Sequence, residues 1–191
     1  VTIAAAHPLF AFAGDRLLAR GPAAEVVAAV KTATDAGETV LTFDAGTAQV
    51  VDLDLRGDLA AVVGRLASVP EAGKRGPGRP KLGVTAREVT LLPRHWDWLS
   101  AQPGGASVAL RKLVEGALRE AEGPDRARKA KEAVYRFMTA MAGDLPNYEE
   151  ATRMLFAGDW TAFDAAVEGW PEGVRETARG MAAGAWRNGQ N

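Results

Sequence analysis

The sequence predicts an α+β protein built as a small N-terminal ββαββα unit, a central strand-helix-helix module and a C-terminal helical unit. Three observations carry this. Short alternating apolar runs joined to helical ones fill the chain up to residue 69. Apolar residues recur at helical spacing from residue 123 onward. Between these regions, "GKRGPGRPKLG" (73–83) holds four basic residues, four glycines and two prolines, which cannot build a packed element. The expected divisions are 1–69, a basic linker at 70–84, the central module at 85–122, and 123–191.

In the first unit, "LFAFAGDRLLARG" reads as two strands around the tight-turn pair Gly14-Asp15. Pro22 opens a helix with Val26, Val27 and Val30 on one face, and Gly37 stops it. The scheme then recurs. "TVLTFDAGTAQVVDLDLRG" reads as two strands around Ala45-Gly46, with Val51, Leu53 and Leu55 alternating against Asp52 and Asp54. A helix capped by Asp58 follows. The order predicts a small sheet with helices on one face. Asp44, Asp52 and Asp54 lack a histidine or further carboxylate at ligand spacing, so they read as a solvated strand face.

In the central module, Val89 and Leu91 alternate with Glu88 and Thr90 as a short strand. Pro93 suits a first helical turn, where its missing N–H has no partner to lose. Trp96 and Leu99 share a face of that helix, and Pro103 to Gly105 end it. Ser107 stands at the start of the next helix, in which Ala109-Leu110, Leu113-Val114 and Ala117-Leu118 repeat every four residues. About thirty-five residues of this shape cannot hide their apolar face or satisfy a lone strand, and a second copy of the chain solves both problems. The expected dimer core is Val89, Leu91, Trp96, Leu99, Leu110, Leu113 and Val114.

From 123 the helices expected are "PDRARKAKEAVYRFMTAMAG", with Val134, Phe137, Met138 and Met141 on one face, then "PNYEEATRMLFAGD", "WTAFDAAVEGW" and "PEGVRETARGMAAGAWRNG". Trp160, Phe163 and Trp170 read as their core.

Composition narrows the function. No apolar run approaches the ~18 residues of a membrane span. "VTIAAAHPLFAFAG" has no basic leader ahead of its apolar stretch, so no signal peptide is expected. The absence of cysteine removes thiolate sites and fits a reducing cytoplasm. The net charge of −1 conceals a pattern: residues 1–69 carry net −3, residues 70–119 net +5, and residues 120–191 net −3. A local positive excess suits a polyanion partner. Of the two histidines, His95 stands between Arg94 and Trp96 without a triad or metal partner and reads as structural or surface. No phosphate-binding glycine loop joins a strand to a helix. An enzyme, a cofactor and a metal are therefore not expected.

Val89-Thr90-Leu91, Trp98-Leu99 before Gly104-Gly105, and Leu110-Arg111 with Leu113-Val114 together resemble a ribbon-helix-helix DNA-binding, dimerisation module of the short antitoxin type. The resemblance implies a β-ribbon in the major groove, with Ser107 and nearby amides on a phosphate. Leu91 and Leu92 are adjacent, so one register exposes Glu88 and Thr90 and the other Arg87, Val89 and Leu91. "GPGRPK" resembles the AT-hook, whose Gly-Arg-Pro core enters the minor groove of A·T-rich DNA, although Pro77 stands where the family carries a second arginine. On that resemblance Gly78 permits close approach, Pro80 fixes an extended backbone, Arg79 lies in the groove, and Lys74, Arg75 and Lys81 meet phosphates. A plain basic linker is the other reading. Nearly the whole chain, including "LPNYEEATRMLFAGDW", also resembles an uncharacterised bacterial family, a domain of unknown function. The expected function is a homodimeric double-stranded DNA-binding protein of the cytoplasm or nucleoid, a transcriptional regulator or nucleoid-associated factor. Arg87, Thr90 and Ser107 join the basic segment as DNA contacts. The competing reading is an interaction scaffold whose central module only dimerises.

Overall fold

The computed structural model describes residues 3–67 and 87–189. Two compact units divide the chain, residues 1–72 with 125–191 and residues 73–124. Stretches 1–69 and 123–191, expected as separate units, thus belong to one.

Its elements begin with β1 (Pro8–Ala13), β2 (Arg16–Pro22), α1 (Ala23–Asp35), β3 (Val40–Asp44) and α2 (Leu59–Ala67). The three strands form one antiparallel sheet in the order β2-β1-β3. Gly14, at φ 55°, turns β1 into β2. Pro22 precedes α1, and the N–H groups of Gly37 and Glu38 close its far end on the Thr34 and Ala33 carbonyls. Asp58 caps α2 by accepting from the Ala61 N–H at 2.8 Å.

The mixed α+β class is as expected, but the fourth strand is not. Phe43 and Val50 make an isolated bridge, and residues 51–57 then leave the ladder. The alternation survives without the strand: Val51, Leu53 and Leu55 pack toward α1 and α2, while Asp52 and Asp54 face water. Period-two burial needs an extended chain on an apolar surface, not a hydrogen-bonded neighbour. The N-terminal order is therefore ββαβα.

A second departure concerns the sheet faces. β1 is buried at every position after Pro8. Leu9 and Ala11 join Val26, Val27 and Val30 of α1 and Val62 of α2 on one side. On the other, Phe10 and Phe12 join Phe43 and the last part of α4 (Gly105–Ala142). Helices cover both faces, where one was expected. A strand apolar on both sides is what a two-sided cover requires.

The second cover is α4 from residue 125, α5 (Tyr148–Ala157), α6 (Trp160–Val167) and α7 (Glu172–Gly189). Phe137 is its central contact, with ring centroids 5.8, 5.6 and 5.8 Å from Phe10, Phe12 and Phe43. Gly158 ends α5 in the left-handed region, and Lys131 Nζ donates to the nearby Phe156 carbonyl at 3.2 Å. Asp159 caps α6. Phe163 and Trp170 are buried core as expected, with Trp170 donating to the Pro146 carbonyl. Trp160 is instead part-exposed, stacked on Phe163.

The helix expected to start at Pro124 does not. Pro124 lies inside α4, and the boundary between the two units falls there. A proline removes one internal helix bond without ending a helix whose flanks are held. No helix among the described residues is long and apolar enough to cross a membrane.

Candidate nucleic-acid interface

Residues 87–124 supply α3 (Pro93–Ser100) and the first part of α4. Pro93 occupies the first turn of α3 as expected. The helix ends with the Ala101 N–H on the Asp97 carbonyl, and Gln102 Nε2 donates to the Trp98 carbonyl at 3.1 Å. Gly104 (φ 87°) and Gly105 (φ 73°) then reverse the chain in a conformation that disfavours any side chain. A methyl at Gly104 would also lie 3.1 Å from Val108.

The expected strand around Val89–Leu91 is absent: residues 87–92 carry no ladder. Leu92 is extended, at φ −67° and ψ 150°. An extended segment becomes a strand only when another chain segment accepts its hydrogen bonds, and none of the described residues does so.

The residues expected to contact DNA divide in two. Lys74, Arg75, Gly78, Arg79, Pro80 and Lys81 lie outside the described residues. Arg87 and Thr90 are exposed beside the equally exposed Glu88. Ser107 is exposed in the first turn of α4, and its carbonyl accepts from Arg111 Nε at 3.1 Å. Of the expected dimer core, Leu99 is buried within the single chain. Leu91 and Leu110 are half-buried, whereas Val89, Trp96, Leu113 and Val114 are exposed. Leu92, Trp98 and Leu118 are exposed too, although they had no place in that core. Leu118 belongs to the four-residue repeat, whereas Trp98 lies off the face that Trp96 and Leu99 share in the sequence.

Asp44 and Asp54 of the first unit are each held by neighbouring groups. His7 Nε2 lies 2.5 Å from Asp44 Oδ2. Asp44 Oδ1 accepts from the N–H groups of Gly46 and Thr47 and from the Thr47 hydroxyl, at 2.9, 2.7 and 2.8 Å. Burial works against the Asp44 anion, but these hydrogen bonds prevail and hold it below the ordinary aspartate value. Arg56 hydrogen-bonds Asp54, and with the charge of Arg65 nearby this carboxyl sits far below the usual carboxylate range. No cluster of three metal-ligating side chains occurs among the described residues. The His7–Asp44 pair joins positions 37 apart, and no sequence pattern marks it.

The Asp44 turn gives a pH prediction. A carboxyl depressed in the folded state stabilises above its unfolded value of about 4, and that contribution is lost as pH falls through the lower folded value. Asp44→Asn is expected to lose about 1–2 kcal/mol at pH 7. Urea titrations between pH 7 and pH 2 are expected to show the two proteins converging in acid; a constant gap would refute the role of the charge.

No curated protein and no solved structure matches the chain. Residues 8–182 match the family described as "Uncharacterized protein conserved in bacteria (DUF2239)".

Proposed function

The chain belongs to this uncharacterised bacterial family (DUF2239), and from that premise we propose that it is a homodimeric double-stranded DNA-binding protein, a regulator or nucleoid-associated factor rather than an enzyme. The observation that carries the reading is the net +5 of residues 70–119 between two stretches of net −3. Positive charge held locally is drawn to phosphates, whatever the total. In the finer form of the proposal, Arg79 enters an A·T-rich minor groove. Lys74, Arg75 and Lys81 contact phosphates, and Gly78 and Pro80 shape the backbone for that approach. A ribbon-helix-helix-like pairing of two chains adds Arg87 and Thr90 near the groove, with Ser107 and its neighbouring amides on phosphate.

Exposed Arg87, Thr90 and Ser107 are compatible with that assignment. Exposed Glu88 favours a major share for the basic segment, because a carboxylate facing phosphate is repulsive. The nucleoid as location follows from the proposed partner.

Gel shifts with A·T-rich and G·C-rich duplexes at several salt concentrations test the proposal. If about four to six phosphates are neutralised per dimer, log K falls against log salt with a slope of about −4 to −5. Arg79→Ala is expected to weaken binding chiefly on A·T-rich duplexes, where a narrow groove concentrates negative potential. Lys74→Ala is expected to weaken both duplexes equally. Two indistinguishable mutants reduce "GKRGPGRPKLG" to a basic linker, and no binding at low salt leaves only the scaffold.

A further inference from the structure

We infer that the cleft between β2 and the start of α7 is a binding site for a small zwitterion, of the chemical class of the free α-amino acids. The inference concerns the first unit alone and does not rest on DNA binding.

A close approach builds the cleft. β2 is an edge strand of the sheet, and Gly173 brings the first turn of α7 onto the β1–β2 turn, where a methyl would lie 2.6 Å from the Asp15 carbonyl oxygen. Beside this contact lies an open cavity of about 630 Å³, within the range of small-molecule sites. Asp15, Leu17 and Arg20 line one wall, and Glu172, Gly173 and Thr177 line the other.

Thr177 points to a ligand. The residue is 2% exposed, and its hydroxyl has no hydrogen-bond partner among the described residues. A helical threonine commonly donates to the carbonyl four residues back, as Thr34 and Thr139 do. The Thr152 hydroxyl, also without a partner, is sealed off, whereas the Thr177 oxygen keeps an opening in a residue that lines the cavity. A hydroxyl left unpaired at that depth costs free energy that a ligand in the cleft would recover.

The charges decide the class of ligand. Arg16 is taken by Glu38 at 2.7 Å, and Glu176 by Arg175 and Arg179. Arg20, Asp15 and Glu172 have no ion-pair partner among the described residues. The Arg20 guanidinium instead lies over the Phe10 ring, 5.3 Å from its centroid, which steadies it and leaves its donors open. α7 adds uncharged donors. The Arg175 N–H is on the Pro171 carbonyl at 2.9 Å, so the amides of residues 172–174 precede the first helical bond.

A guanidinium fork, amides at a helix start and a hydroxyl together suit a carboxylate. The free Asp15 and Glu172 carboxylates suit an ammonium group beside it. A doubly charged phosphate meets those two as like charges and is the poorer fit. A ligand with one charge of each sign on a single carbon answers both sets, and exposed Leu17 offers an apolar floor for its side chain.

Thermal unfolding and titration calorimetry of the full chain without nucleic acid test this, with the free proteinogenic L-amino acids as probes. At least one is expected to raise the unfolding midpoint by about 3–6 °C at about ten times its dissociation constant. Its N-acetyl form lacks the ammonium charge and its α-amide lacks the carboxylate; each is expected to bind at least about 10-fold more weakly. Arg20→Gln and Thr177→Val are each expected to weaken binding about 10-fold. Thr177→Val keeps the side-chain shape and removes only the unpaired hydroxyl, so the midpoint of the free protein is expected not to fall. Should Thr177→Val fail to fold, Arg20→Gln decides, because Arg20 is exposed. The inference is overturned if no amino acid binds, if the N-acetyl form, the amide or inorganic phosphate binds as well, or if affinity survives in a folded variant.

Discussion

Phe137→Ala is expected to lower the stability of the first unit by about 3–5 kcal/mol, the range for removing a fully buried aromatic side chain. The ring has no exposed surface and touches three phenylalanines on two strands. Each contact is edge-on or tilted, which aromatic quadrupoles favour over face-to-face stacking. Truncation opens a cavity between the sheet and α4, and the rings on the strand side are fixed by the ladder and cannot close it. Thermal unfolding is expected to shift down by about 10 °C for a chain of this size. Urea unfolding followed by circular dichroism gives the free energy directly. A loss below 1 kcal/mol would show that the N-terminal sheet and the C-terminal helices do not share a core.

Gly173→Ala is expected to destabilise by about 1–3 kcal/mol, although alanine is the better helix former. An added methyl would lie 2.6 Å from the Asp15 carbonyl oxygen and 3.1 Å from the Leu17 nitrogen. Both are backbone atoms of the β1–β2 turn and its following strand, so neither moves without shifting the hairpin. Gly180→Ala in the same helix has nothing within 4 Å and is expected to gain up to about 1 kcal/mol. The two substitutions are chemically identical and differ only in what faces them. Urea unfolding of both variants checks the opposite signs; equal effects would mean that α7 does not press on the hairpin.

Local elements were legible because local chemistry specifies them. Gly14 and Gly37, Pro22 and Pro93, and the cap Asp58 set turns and helix ends within a few residues. What decided the tertiary arrangement is non-local. "LFAFA" reads as one continuous apolar run, and nothing within it states that Phe10 and Phe12 await a helix more than a hundred residues later. Pro124 stands first in the expected helix "PDRARKAKEAVYRFMTAMAG", and a proline ring is tolerated inside a long helix. In the candidate interface, the exposed stripe of α4 followed directly from its four-residue repeat. The strand before α3 is a different matter, since its ladder requires a partner that local pattern does not contain.

The interruption of the first unit by residues 73–124 has a consequence for biosynthesis. Phe10, Phe12 and Phe43 leave the ribosome well before Phe137. At about 5–20 residues per second, the 94 residues after Phe43 up to and including Phe137 take roughly 5–20 s to make. Throughout that interval the nascent sheet has an oily face and no lid, a state open to chaperones and to aggregation. Residues 87–124 are complete before the lid is, so the nascent chain finishes its inserted segment before it can close the core that surrounds it in sequence.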